Sequence, residues 1–193
     1  MEGVSGDYKL QCVMTDTFLE MDVGGTDNKG PVFCHAGAED REGQLWDLER
    51  VSRTTLEIKA LISAWRPDLL SRLFQPHGDH IEYFVLPDTL RNTIWSQTKL
   101  LAQPVCKIVF DYDSFVIKTK GAVNTWARDG LRIHGYAVLF GIIFGGARKG
   151  PKAYNWYLTP DMRSLVFFDA QTGKEYTSAA LDDFGFEPTF AMF

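Results

Sequence analysis

The sequence predicts an α+β protein built in two unequal parts, and three observations carry that reading. Short runs rich in β-formers, broken by glycine-rich turn clusters, fill residues 7–50. A helix-start signal and an apolar face at helical spacing follow between residues 54 and 65. Beyond residue 80, strand-like and helix-like segments share one larger stretch that holds the longest apolar run, Tyr136–Phe144. The expected division is 1–50 as an all-β lobe, 51–79 as a helical connector and 80–193 as the main unit.

In the lobe, Asp7–Val13, Thr17–Asp22, Val32–Cys34 and Gln44–Leu48 read as short strands. Gly24-Gly25-Thr26-Asp27-Asn28 and Gly30-Pro31 are turn clusters between them. The connector opens on Thr54-Thr55-Leu56-Glu57, a capping box. The Thr54 hydroxyl reaches the amide at 57 and the Glu57 carboxylate reaches back. Ile58, Leu61, Ile62 and Trp65 then fall on one helical face, and Pro67 ends the helix. Asp68–Phe74 reads as a second short helix.

In the main unit Glu82–Leu86 reads as a strand, Pro87–Leu100 as a helix and Lys107–Phe110 as a strand. A helix over 115–127 is expected next, with Phe115, Ala122, Val123 and Trp126 on one face and Asp129-Gly130 as its stop. Tyr136–Phe144 reads as one strand buried on both faces, and Gly145–Pro151 as a basic loop. Ala153–Leu158 and Ser164–Asp169 are strands joined by Thr159-Pro160-Asp161-Met162, a turn with proline at its second position. The aromatic tail, Phe184, Phe186, Phe190 and Phe193, is expected to pack back onto the domain.

Composition narrows the function. The chain has 193 residues, a net charge of −5, 45% apolar and 23% charged residues. That is ample core material and too little charge for long disorder. The acidic balance argues against nucleic-acid binding, which needs clustered Lys and Arg. Tyr136–Phe144 is far short of the ~20 apolar residues of a membrane span. The start shows no signal-peptide pattern, and Cys12, Cys34 and Cys106 form neither a CxxC pair nor a zinc pattern. A cytoplasmic setting with free thiols is expected, and unconventional export would leave no trace here. His77, His80 and His134 read as loop residues.

Phe18-Leu19-Glu20-Met21-Asp22, the glycine-rich turn, Gly30-Pro31-Val32 and Gln44-Leu45-Trp46 follow one another in a recognisable order. Tyr8–Arg50 thereby resembles one lobe of a ricin-B-type β-trefoil lectin, whose signature is Gln-x-Trp. The resemblance implies a sugar site with an acid (Glu20 or Asp22), a platform (His35) and a polar anchor (Gln44). Arg41-Glu42-Gly43 stands where the family has an Asn, so a purely structural lobe is the competing expectation. About 43 residues bury too little surface to stand alone.

Further along come Tyr83-Phe84-Val85-Leu86-Pro87, Phe110-Asp111-Tyr112-Asp113-Ser114-Phe115, Gly135-Tyr136-Ala137, Ala153-Tyr154-Asn155, Val166-Phe167-Phe168-Asp169-Ala170-Gln171-Thr172-Gly173 and Phe190-Ala191-Met192-Phe193. Residues 54–193 thereby resemble the C-terminal part of the fairy-ring mushroom agglutinin family. There a ricin-B lectin is fused to a papain-like, calcium-dependent cysteine protease domain that also forms a dimer. The resemblance implies a helix packed on an antiparallel sheet.

It also implies a lost active site. The family's nucleophilic Cys, which a helix N-terminus favours as thiolate, is Tyr112 here, a phenol with an ordinary pKa near ~10. The family's His is Lys152 and its acidic third member is Asp169. With nucleophile and base both replaced, thiol catalysis is not expected, and an ion pair between Lys152 and Asp169 is. Cys106 precedes a strand and reads as a small buried hydrophobe; Ser114 reads as a first-turn helix residue. For the family's calcium, the surviving oxygen donors are Asp111, Asp113, Asp169 and Gln171, with Ser114 replacing a further carboxylate. The expected function is a lectin-related interaction protein with an inactive protease-like domain, a glycan or protein partner, a dimeric state and a role in fungal defence. The alternatives are a lectin acting through assembled lobes, and a hydrolase with altered chemistry at Tyr112 and Lys152.

Overall fold

A computed structural model of the chain describes residues 10–12, 14–21, 32–37, 44, 50–98, 112–131 and 135–193. The chain divides into two units, Met1–Arg50 and Val51–Phe193.

In the first unit β1 (Gln11–Cys12), β2 (Thr17–Met21) and β3 (Val32–Ala36) form an antiparallel sheet in that order. Gln11 lies opposite Phe18, and Phe18 opposite His35. The β1–β2 turn closes through the Thr15 and Asp16 amides on the Cys12 carbonyl. Gly37 lies against the Phe18 ring, 2.5 Å from where a Cβ would stand, so only glycine fits. Gln44, expected in a strand, sits in a short helical turn and is fully buried. The rest of that segment, Trp46 included, lies outside the described residues, as do Asp7, Asp22 and the glycine-rich turn.

The second unit is a mixed α and β fold. Its main sheet has the order β11-β10-β9-β8-β12-β5: Lys174–Thr177, Leu165–Asp169, Gly150–Leu158, Gly141–Ala147, Glu187–Met192 and Leu73–Phe74. All neighbours are antiparallel except β12 and β5. A second sheet joins β4 (Ser52–Thr54), β6 (Glu82–Phe84) and β7 (Tyr136–Val138), with β7 parallel to β6.

Helices cover both faces of the main sheet. Ile58 and Ile62 of α1 (Thr55–Trp65) and Leu181 of α4 (Ser178–Asp183) pack with Ile143, Tyr154, Trp156 and Phe167. On the other face, Ile94 of α2 (Asp88–Thr98) and Phe115 and Val123 of α3 (Tyr112–Trp126) pack with Phe140, Tyr157 and Phe168. The alternation of side chains along β9 and β10 separates these two cores.

The capping box forms as expected. Glu57 N donates to the Thr54 hydroxyl at 3.2 Å, and Thr54 N donates to the Glu57 carboxylate at 2.8 Å. Within the second unit, α1 and Leu69, from the segment expected as a connector, supply the same core as β8, β9 and β10. The segment after Pro67 forms a 3-10 turn to Arg72, and then β5.

Tyr136–Phe144 is not one strand. It breaks at Leu139–Phe140, where the chain crosses from the second sheet to the main one. Gly141 permits the crossing, because a Cβ there would lie 2.2 Å from the Trp156 ring and 2.6 Å from the Met192 carbonyl. The basic loop is a hairpin instead, with β8 and β9 paired from Gly141↔Trp156 to Ala147↔Gly150. Of the tail aromatics, Phe186 and Phe193 are buried, whereas Phe184 and Phe190 stay exposed. Lys107–Phe110, Cys106, Asp111 and His134 lie outside the described residues. No described helix is long and apolar enough to cross a membrane.

Candidate functional site

The helix start is the first candidate. α3 begins at Tyr112, earlier than the apolar pattern alone suggested. Asp113 folds back on the first turn, its carboxylate accepting the Ser114 amide at 2.7 Å. The half-buried Tyr112 ring rests on the cluster formed by Val116, Ile142 and Ala153.

β9 supplies the next position. Ala153, Asn155 and Tyr157 point toward α3, so alternation sets Lys152 on the other side, with Tyr154 and Trp156. Asp169 shares that side with Leu165 and Phe167. Its Oδ1 accepts the amides of Gln171 at 2.9 Å and Thr172 at 3.3 Å, closing the turn after β10. The expected Lys152–Asp169 ion pair is absent among the described residues; the Asp169 carboxylate closes this turn instead. No hydrogen bond joins Tyr112 to either residue among those described. Asp169 is felt instead by Tyr154, whose phenol is pushed up to about 12 by burial first, and by the charges of Asp169 and Tyr176 second.

Two groups escape the sequence reading. Asn155, fully buried in mid-strand, donates through Nδ2 to the Val116 carbonyl of α3 at 2.9 Å and to the Gly141 carbonyl at 3.2 Å. It ties the helix to the sheet beneath Tyr112. The signal was an amide within the otherwise apolar Ala-Tyr-Asn-Trp-Tyr. Lys120 places Nζ 2.7 Å from the Phe140 carbonyl, and burial pushes its amine down to about 8. Nothing in the sequence distinguished it from a surface lysine.

Of the oxygen donors expected for calcium, Asp169 accepts the amides of Gln171 and Thr172 and Asp113 accepts that of Ser114; no three His, Cys, Asp or Glu residues cluster among the described residues. Asp111 lies outside them.

In the first unit the structure joins two of the sugar-site candidates. Gln44 Nε2 donates to the Glu20 carboxylate at 2.9 Å and to the Ala36 carbonyl at 3.1 Å. His35 is exposed on β3 opposite Phe18.

The helix start and the strand lie within a mixed α and β unit with helices on both faces of its main sheet. Residues 83–175 match the family model described as agglutinin C-terminal. This match, over just under half of the chain, supports the resemblance read from the sequence. Among solved structures the chain is similar to a Polyporus squamosus lectin bound to the epitope Neu5Acα2-6Galβ1-4GlcNAc, with 28% identity and a TM-score of 0.80 over 98% of this chain and 66% of that one. It is also similar to the protein of a PSL1a–E64 complex, with 26% identity and a TM-score of 0.76 over 98% of this chain and 68% of that one. The chain thus spans about two thirds of the length of these structures. No curated protein matches it.

Proposed function

We propose that the protein is a lectin-related interaction protein whose papain-like second unit does not cleave peptides. Tyr112 at the start of α3 carries this reading. A helix N-terminus stabilises a thiolate, but a phenol there is a poor nucleophile at neutral pH. Lys152 adds to it, because it stands on the Tyr154 side of β9 and away from α3. The first unit acts as a single β-trefoil-type lobe. Its Gln44–Glu20 bond either orients an acid for a sugar hydroxyl or braces the lobe. Glycan recognition is supported by the similarity to a lectin solved with a sialylated trisaccharide. A role in fungal defence rests on the family resemblance alone.

The test is a fluorogenic-peptide assay with calcium and with chelator. The wild-type protein is expected to be silent in both, and cleavage by it would overturn the reading. The double variant Tyr112→Cys/Lys152→His is also expected to stay silent, because position 152 faces away from the helix. Activity in that variant would show that two side chains were all that was lost.

Dimerisation belongs to the same reading. Phe74 and Phe190 are exposed at 52% and 38% on the two strands at the β5 edge of the main sheet, with Phe144 beside Phe190 at a ring separation of 6.3 Å. An exposed aromatic cluster on an open sheet edge is the surface type that pairing covers.

A further inference from the structure

At the C-terminal end of α3 the helix passes into a π-turn, Ala127–Leu131. Single-turn π segments are frequent at functional sites. Here the turn helps to form an open groove of about 750 Å³, lined by Gln97 of α2, by Lys118, Thr125 and Trp126 of α3, and by Asp129 and Gly130 of the turn. Gly130 lies along the edge of the indole: a Cβ there would sit 3.7 Å from Cε2 and 3.9 Å from Nε1. Trp126 is half-buried, with one side packed on the core between α2, α3 and the sheet, and the glycine at 130 adds no side chain against the ring edge. Among the described residues, nothing accepts the Trp126 Nε1–H.

The rest of the lining is mixed, with the apolar Ala122 beside polar side chains. Gln97, Thr125 and Asp129 are all exposed. The Asp129 carboxylate is held by Arg128 through Nε at 2.7 Å and a terminal nitrogen at 3.0 Å. A carboxylate held on two oxygens keeps lone pairs for further donors. An amide, a hydroxyl and a carboxylate around an indole form a poor seat for an apolar helix or a uniformly charged strand. They suit a ligand with hydroxyls on its rim and C–H groups on its face.

We infer that this groove is a saccharide-binding site of the second unit, separate from the sugar-site candidates of the first. Trp126 is the platform, and Gln97, Thr125 and Asp129 are the hydrogen-bonding rim. The inference rests on the lectin-related reading and gives it a location.

The experiment is binding of the full chain to an array of mono- to trisaccharides, Neu5Acα2-6Galβ1-4GlcNAc included. Any hit is followed through the Trp126 indole N–H resonance. Gly130→Leu covers the ring edge, and Gln97→Ala/Thr125→Ala strips the rim at exposed positions, so neither disturbs the core. Unchanged melting temperatures would confirm that both variants fold. Binding that shifts the Trp126 resonance, and that falls at least tenfold in both variants while surviving Gln44→Ala, is the expected result. Binding lost in Gln44→Ala but intact in the groove variants would overturn the groove and leave the lectin reading standing. An array with no binding at all would overturn both.

Discussion

Asn155 is the residue on which the helix and the sheet most depend. Its two donated hydrogen bonds cross from β9 to α3 and to β8 inside a fully buried site. Asn155→Ala is expected to cost about 2–4 kcal/mol, from two lost buried hydrogen bonds and a small cavity. Urea denaturation measures it. Lys120 gives a second residue-scale effect, this time in pH. Its amine titrates near 8 when folded, against an ordinary 10.5. The unfolded chain thus holds a proton between those values that the folded one releases, and stability rises with pH across that window. Lys120→Met removes the group. The stability difference between variant and wild type is expected to favour the variant most below pH 8 and to shrink toward pH 10.5. Denaturation midpoints at several pH values check this, with the tyrosine and cysteine titrations common to both proteins.

α1 shows how a local signal and a tertiary role combine in one element. The capping box fixes where the helix starts, and the Ile58 and Ile62 face fixes what it packs on. Thr54→Ala removes one side of the box and is expected to cost about 1 kcal/mol, read as a lower melting temperature with the sheet content unchanged. The β8–β9 hairpin is the opposite case. Ala147-Arg148-Lys149-Gly150 reads as a loop by charge and glycine content, yet strand pairing continues to Ala147↔Gly150. Gly150 sits at φ +111, a conformation that L side chains rarely adopt, and so lets the hairpin close.

For the whole molecule, the two units carry unequal weight. The second holds its own three-layered core, while the first is too small to bury one of standard size. Phe74 and Phe190 at the β5 edge lead to the expectation of a dimer. Light scattering should give twice the 21.8 kDa chain mass, and Phe74→Glu/Phe190→Glu should return the monomer. A monomeric wild-type protein would remove the dimer from the proposed function.

Local chemistry was legible in the sequence wherever it acts over a few residues. The Thr54–Glu57 box, the α1 face and the Thr159–Met162 turn needed only their neighbours. The agglutinin C-terminal resemblance was legible too, because its motifs recur in order along the chain. What tertiary structure decided is where long segments break and which way strand residues face. Tyr136–Phe144 divides between two sheets because β6 pairs with one half and β9 with the other. Lys152 and Asp169 part from Tyr112 because alternation along β9 and β10 assigns them to the other face. Lys120 loses its surface character because the chain crossing at Phe140 offers it a carbonyl and takes away water. Pairing and burial are set by residues distant in the chain, and no short window of sequence contains them.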